Sequence, residues 1–263
     1  MAKTPQPVRA PDLRQWKAEG RKIAMLTAYE APMARTFDEV GIDIVLVGDS
    51  LGMTVLGYET TIPVTLDDVV HHTRAVARGV KRALVLADMP FLTYHTGQAI
   101  ENAGRLLQAG ATAVKLEGGG EAVVEVVRQL VEAGIPVMAH VGLTPQSFHQ
   151  QGGFRKQGLD PAAVDTLVTQ AQALEQAGAF AVLVECVASD AAKRITDAVT
   201  VPTIGIGAGP HCDGQVLVAH DMLGMQEWSP TFAKRYAELG KEISRAAKAY
   251  CDEVRDGSFP ADG

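Results

Sequence analysis

Short apolar runs separated by amphipathic stretches set the rhythm of the chain. One phrase occurs four times, as "FDEVGIDIVLV", "LLQAGATAVKL", "LVEAGIPVMAH" and "LEQAGAFAVLV". Each reads as the end of a helix, a glycine, then a continuous apolar run. Gly41, Gly110, Gly134 and Gly178 stand where a helix C-terminus calls for a positive φ. Apolar runs without alternation fit parallel strands buried on both faces, so the pattern predicts βα units rather than hairpins.

The strand candidates are "IAMLT" (23–27), "IVLVG" (44–48), "ALVLA" (83–87), "AVKLE" (113–117), "PVMAH" (136–140), "FAVLVE" (180–185), "PTIGIG" (202–207) and a weaker "QVLVA" (215–219). Eight parallel strands in a chain of 263 residues predict a single-domain (β/α)8 TIM barrel over 1–263. A doubly wound open sheet is the alternative. It calls for a GxGxxG turn after the first strand, where "TAYEAP" stands instead. "PDLRQWKAEG" (11–20) predicts a short leading helix, with Leu13 and Trp16 on one side to plug the barrel bottom. Pro230 to Val254 reads as helical, and residues 1–10, Pro-rich and polar, as a loose arm. The longer connections fall at 49–66 and 142–159. The second, rich in Gly and Gln, reads as a loop over the barrel mouth.

Composition narrows the class. The chain is 47% hydrophobic and 21% charged, with a formal net charge of −7. No Lys/Arg block marks a nucleic-acid groove. No run approaches the roughly 18 apolar residues of a membrane span, and no signal-peptide core leads the chain. Cys186, Cys212 and Cys251 lie far apart, which argues against a disulfide framework or a zinc cage and for a reducing cytoplasm.

Chemistry gathers at the strand ends, where barrels place it. Strand two ends at Asp49 and Ser50, strand three at Asp88. Strand four carries Lys115 and Glu117, strand five ends at His140, strand six at Glu185. Any one of these ordinarily caps the next helix. Five successive strands delivering polar groups to one rim are a poor fit to capping alone. Lys115 and Glu117 share a strand face and require partners or ligands if they point inward. Asp49, Asp88 and Glu117 are three acids from neighbouring strands, and their convergence calls for a hard divalent ion, Mg²⁺ or Mn²⁺ rather than Zn²⁺. Glu185, in line with inward Ala181 and Leu183, is expected to have a raised pKa suited to a general base. Cys186 points the other way by alternation and reads as packing. "GIGAGP" (205–210) reads as a tight turn, "GGG" (118–120) as backbone clearance, and His71, His72, His211 and Cys212 as surface or interface residues.

"TAYEAPMA", "VLVGDSLGMTVLG", "TIPVT", "LADMPF", "VKLEGG", "HVGLTPQS", "LVECV" and "IGIGAG" occur in that order over nearly the whole chain. In these motifs the chain resembles the ketopantoate hydroxymethyltransferase family. The resemblance implies a Mg²⁺-dependent (β/α)8 barrel, commonly a homodecamer. It implies transfer of a one-carbon unit from 5,10-methylenetetrahydrofolate to the enolate of 3-methyl-2-oxobutanoate, on the route to pantothenate and coenzyme A. By the same resemblance Asp49, Asp88 and Glu117 are metal-associated, and Asp49, Ser50, Asp88 and Lys115 bind the ketoacid. His140 takes a substrate-side role and Glu185 is the proton acceptor. Two other readings stand beside it: a Mg²⁺-dependent 2-oxoacid lyase or mutase of the phosphoenolpyruvate-mutase type, and a metabolite-binding barrel without catalysis. The first often carries a reactive loop cysteine, and none of the three cysteines follows an early strand mouth. A complete acid trio and an intact base argue against the second.

Overall fold

The computed structural model describes residues 6–95 and 97–261, and every predicted apolar run in it is a strand. Eight parallel strands close in chain order: β1 (Ile23–Thr27), β2 (Ile44–Val47), β3 (Leu84–Asp88), β4 (Ala113–Glu117), β5 (Val137–Gly142), β6 (Ala181–Glu185), β7 (Thr203–Ile206) and β8 (Gly214–Leu217). The glycines at 41, 110, 134 and 178 have φ of 92°, 111°, 84° and 101°, as the helix-end pattern requires. The helices between strands begin on side-chain caps where the sequence supplies them. Thr65 and Asp68 form a reciprocal capping box on α4 (Leu66–Gly79), with α2 (Ala31–Glu39) and the short α3 (Leu51–Thr54) preceding it.

Inward side chains sort by height. The lower interior is apolar, with Met25, Ile44, Leu84, Met138 and Ile204 in one buried cluster. Polar groups begin where β3, β4 and β5 end. The register fixes this: Asp88 lies opposite Lys115, and Glu117 opposite His140. A strand period of two then aims Lys115 and Glu117 into the same barrel.

The leading helix, α1 (Ala10–Ala18), meets the bottom of that cluster. Leu13 is 0% exposed within it, and Trp16 packs against it. The Arg21 guanidinium lies 3.5 Å over the Trp16 ring. Lys17 Nζ donates to the carbonyls of Thr196, Val199 and Val201 and pairs with Asp213 at 3.0 Å. The loose arm expected over 1–10 is shorter than that. Residues 1–5 lie outside the described residues, but Val8 is buried, and its N–H donates to the Arg82 carbonyl at 2.7 Å.

The chain divides into two compact units, the first reaching Val216 and the second beginning at Leu217. The second unit holds a short helix, Ala219–Met222, and a long one, Leu239–Asp256. The helix expected from Pro230 starts nine residues later. Tyr236 N–H and Leu239 N–H donate to the Met222 and Leu223 carbonyls, so this stretch pairs across to the short helix instead of along itself. No helix among the described residues is long and apolar enough to cross a membrane.

Because Leu13 is enclosed on all sides, Leu13→Ala should cost ~2–5 kcal/mol. The check is the urea midpoint with the slope unchanged, and a loss well under 1 kcal/mol would mean that α1 is no plug.

Candidate active site

Above the apolar layers, the ends of β2 to β6 deliver one connected group of polar side chains. After β2 the chain turns at Gly48, where a Cβ would press on Ser50 Oγ at 2.8 Å and touch Asp88 Oδ2 at 3.5 Å, so a side chain there would shift the Ser50 hydroxyl. The turn presents the Asp49 N–H to Asp88 Oδ2 at 2.9 Å. Ser50 Oγ lies 2.8 Å from the Tyr29 hydroxyl. Lys115, 4% exposed, is the hub. Its Nζ is 3.1 Å from Asp88 Oδ1, 3.8 Å from Glu117 Oε1 and 3.4 Å from His140 Nδ1. His140 reaches onward, with Nε2 3.4 Å from Glu185 Oε2. The six groups read from the strand ends between Asp49 and Glu185 therefore form one chain of contacts, while Ser50 bonds to Tyr29 at its edge.

Charge in this cluster is unbalanced. Four carboxylates, Asp49, Asp88, Glu117 and Glu185, face one ammonium. Burial and the nearby Asp88 and Glu117 push Asp49 well above the usual carboxylate range. Burial also raises Asp88, against the pull of Lys115. Glu117 lies below its ordinary value because His140, Lys115 and the Gln146 N–H outweigh the effect of burial. Burial alone would lower Lys115, but Asp88, Glu117 and Asp49 hold it above its ordinary value and charged. Burial and Lys115 lower His140. Its Nδ1 faces both Lys115 Nζ at 3.4 Å and Glu117 Oε1 at 3.5 Å. Burial, then repulsion from Glu117, pushes Glu185 up to about 8.

The excess of buried negative charge fits a hard cation. The three-acid cage expected from Asp49, Asp88 and Glu117 is not preformed, however. Among the described residues no three Asp, Glu, His or Cys side chains come together as a ready ion site. Gln146 is the physical reason. Its Nε2 donates to Asp49 Oδ2 at 2.8 Å and its N–H to Glu117 Oε2 at 3.0 Å, so it holds these two acids by hydrogen bonds. Asp49 and Asp88, linked directly, are the pair that fits an ion completed by water and substrate oxygens, the usual habit of Mg²⁺.

Weaker expectations divide. Gly207 and Gly209 have φ of 63° and 80°, as a tight turn requires. Cys186 does not continue the strand alternation: β6 stops at Glu185, and Cys186 is half-buried at φ 48°. His71 is exposed, whereas His72 is half-buried and its Nδ1–H donates to the Tyr29 carbonyl. Cys212 is buried, contrary to a surface role, because its side chain packs against Gly205.

The model of the ketopantoate hydroxymethyltransferase family matches residues 7–262. The chain belongs to the ketopantoate hydroxymethyltransferase family. As a member it is a transferase. The 3-methyl-2-oxobutanoate hydroxymethyltransferase of Trichodesmium erythraeum (strain IMS101) is 53% identical over 251 residues, covering 94% of this chain and 95% of the relative. That of Moorella thermoacetica (strain ATCC 39073 / JCM 9320) is 55% identical over 257 residues, covering 96% and 95%. Among solved structures, a phosphonopyruvate hydrolase aligns with TM-score 0.66 at 15% identity, over 97% of this chain and 89% of its own. A 2,3-dimethylmalate lyase aligns with TM-score 0.63 at 18% identity, over 97% and 90%. At those identities the likeness is one of fold alone.

Two side chains not singled out from the sequence join this cluster. Gln146 lies in the "HVGLTPQS" motif, on a 3-10 turn (Pro145–Ser147), and also donates to the Met89 carbonyl at 3.1 Å. The Tyr94 hydroxyl reaches Gln146 Oε1 at 2.8 Å and the Glu117 carbonyl at 3.1 Å. Both are uncharged and follow the strand ends at a distance, so a search for ionisable groups passes over them. At the end of β5, in register with Glu185, Gly142 has φ 98°, and a Cβ there would lie 2.4 Å from the Glu185 carbonyl oxygen. That oxygen accepts from Leu143 N–H at 2.9 Å.

The raised Glu185 has a consequence for stability. The folded state binds its proton more tightly than the unfolded chain, whose ordinary value is 4.5. This contribution is complete below pH 4.5 and is lost as pH rises through about 8. Glu185→Gln removes the loss, so relative to wild type the variant should gain stability between pH 5 and pH 9, by ~4 kcal/mol at most. Thermal melts of the metal-free proteins at both pH values test this. A wild type-to-variant difference independent of pH would show that Glu185 titrates normally.

Proposed function

We propose that this enzyme transfers a hydroxymethyl group from 5,10-methylenetetrahydrofolate to 3-methyl-2-oxobutanoate, giving ketopantoate for pantothenate and coenzyme A biosynthesis. The observation that carries the reading is a carboxyl with a pKa of about 8, Glu185, one imidazole away from an ammonium buried among acids. A base for a weakly acidic C–H and a cation for an anionic 2-oxoacid are the two things the first step requires. The family match and the relatives' names support the ketoacid and the group transferred; the folate donor is what the motif resemblance implies.

Lys115 faces the ketoacid's negative charge, and Ser50 offers a hydroxyl beside it. Glu185 accepts the C3 proton. His140 Nε2 lies 3.4 Å from Glu185 Oε2 and flanks the carboxylate without a tight hydrogen bond that would weaken it as a base. The C3 carbanion equivalent then attacks the donor's methylene carbon as one of its two C–N bonds opens; water displaces the remaining C–N bond to leave the hydroxymethyl group, and tetrahydrofolate departs with the C3 proton and one proton of the water on its two nitrogens. Asp49 and Asp88 would hold a Mg²⁺ ion, one per subunit, with Glu117 reaching it only through an intervening group. When bound, that ion supplies positive charge against the acids and against the charge developing on the ketoacid's oxygen.

The three free cysteines support a reducing cytoplasm. None of them stands in a connection after an early strand, which leaves the lyase or mutase reading without its usual cysteine. Self-association, as a homodecamer, is part of the proposal. The "AVVEVVRQLV" helix gives it no support, because Val123, Val127 and Leu130 are buried. The Leu239–Asp256 helix does: it has no buried residue and leaves Ile243, Tyr250 and Val254 exposed.

In D₂O with Mg²⁺, and with no folate present, the wild type should exchange the C3 proton of 3-methyl-2-oxobutanoate, followed by NMR. EDTA should stop this exchange and added Mg²⁺ should restore it. Glu185→Gln should still bind the ketoacid yet exchange at least ~10²-fold more slowly. Exchange at the wild-type rate would hand the role of base to His140. Light scattering at micromolar concentration should give a mass many times the 27.9 kDa of one chain, and a monomer would rule out the assembly.

A further inference from the structure

The connection between β5 and the helix α8 (Pro161–Gln176) has more structure than a cover requires. One end is fastened to the acid side through Gln146, bonded to Asp49 and Glu117. The other end is fastened beside the base. Gln157 N–H donates to the Cys186 carbonyl at 2.8 Å, and the Gln157 carbonyl accepts from Ala188 N–H at 3.1 Å. Residue 157 thus pairs like a short strand against Val187, two positions past Glu185. The segment between these anchors is suspended from both walls of the site.

That segment carries an aromatic pair and two cations. The Phe148 and Phe154 rings lie 5.0 Å apart, tilted by 57°, and Phe154 is 52% exposed. Arg155 and Lys156 follow at once, both exposed. Among the described residues neither has a carboxylate partner within salt-bridge distance, whereas most exposed cations of the long C-terminal helix do. Residues 143–159 contain no Asp or Glu, in a chain of net charge −7. Lys156 is close enough to the base-side wall to pull on the Cys186 thiol next to Glu185. An exposed aromatic ring beside unpaired cations suits a flat aromatic ligand with an anionic tail. It does not suit the ketoacid, which is small and aliphatic and whose charge Lys115 already meets.

We propose that Phe154, Arg155 and Lys156 form the docking site of the one-carbon donor, the aryl ring packing on Phe154 and the glutamate carboxylates meeting the two cations. This rests on the hydroxymethyl-transfer reading, and it adds how the donor is held. Loop anchorage at Gln157 sets the donor's methylene carbon on the same side as the proton acceptor, where C3 of the ketoacid becomes nucleophilic.

Two variants of the full chain test it: Phe154→Ala, and the double charge reversal Arg155→Glu with Lys156→Glu. Three readouts are compared with wild type: the affinity of tetrahydrofolate by calorimetry under anaerobic conditions, the KM for methylenetetrahydrofolate, and donor-free C3–H exchange. Each variant should weaken tetrahydrofolate binding and raise the donor KM at least tenfold. The charge reversal should also abolish any preference for polyglutamylated over monoglutamylated donor. The ketoacid KM and the exchange rate should stay at wild-type values, which also shows the fold to be intact. Wild-type tetrahydrofolate affinity in both variants would overturn the site. Loss of exchange alongside donor binding would overturn it too, because the loop would then serve the ketoacid. A wild type that binds tetrahydrofolate but makes no product counts against the reaction assigned above, while the change in affinity between wild type and variants still decides whether this site exists.

Discussion

Everything at the mouth of this barrel depends on one buried ammonium. Lys115 sits at 4% exposure among carboxylates from three strands, where an isolated charge of either sign would be prohibitively costly. Asp88 meets it directly, and Glu117 and His140 flank it. Removing the lysine would leave at least two acids uncompensated in a site that excludes water. The imbalance that persists even with Lys115 in place, four carboxyls to one ammonium, makes the site receptive to cations and adds to the burial that raises Glu185. The same burial that disfavours the ionised carboxylate makes it the more basic once it has lost its proton.

Much of this was legible in the amino-acid sequence, for reasons that differ by residue. The eight strands announce themselves because parallel strands buried on both faces are unbroken apolar runs, and the glycines that end the helices take a conformation few other residues tolerate. Asp49, Asp88 and Glu185 stand out because a carboxylate beside such a run is out of place. Side-chain direction follows from the period of two, which aims Lys115 and Glu117 inward together. What the pattern does not carry is distance. It places three acids on three adjacent strands but cannot reveal that Gln146 reaches in from a later connection and bonds two of them. Nor does it show Val8 paired with Arg82, or the segment from Pro230 to Glu238 pairing with residues ahead of it. Each depends on contacts between segments remote in sequence, for which local hydrophobic rhythm has no signal.

Gln146 and Gln157 give the 143–159 connection an unusual mechanical status. Neither is charged, and both work mainly through backbone or amide contacts, yet one grips the acid wall and the other the base wall. A loop held only by its own termini would let the two halves of the site shift independently. Here, any displacement of the loop pulls on hydrogen bonds to Asp49 and Glu117 at one end and to the residues beyond Glu185 at the other. The acid wall and the Glu185 wall are thereby tied to one piece of backbone.

Gly142 touches no reacting atom, yet it shapes what variation this barrel tolerates. One hydrogen at that position is all that separates the end of β5 from the carbonyl of Glu185. A methyl group would collide with it and displace the backbone that carries Glu185, the proposed proton acceptor. Libraries built to widen the range of acceptors would lose activity at a position that a map of substrate contacts marks as neutral. The mutational sensitivity of the enzyme is therefore wider than its pocket, and it includes a residue with no side chain at all.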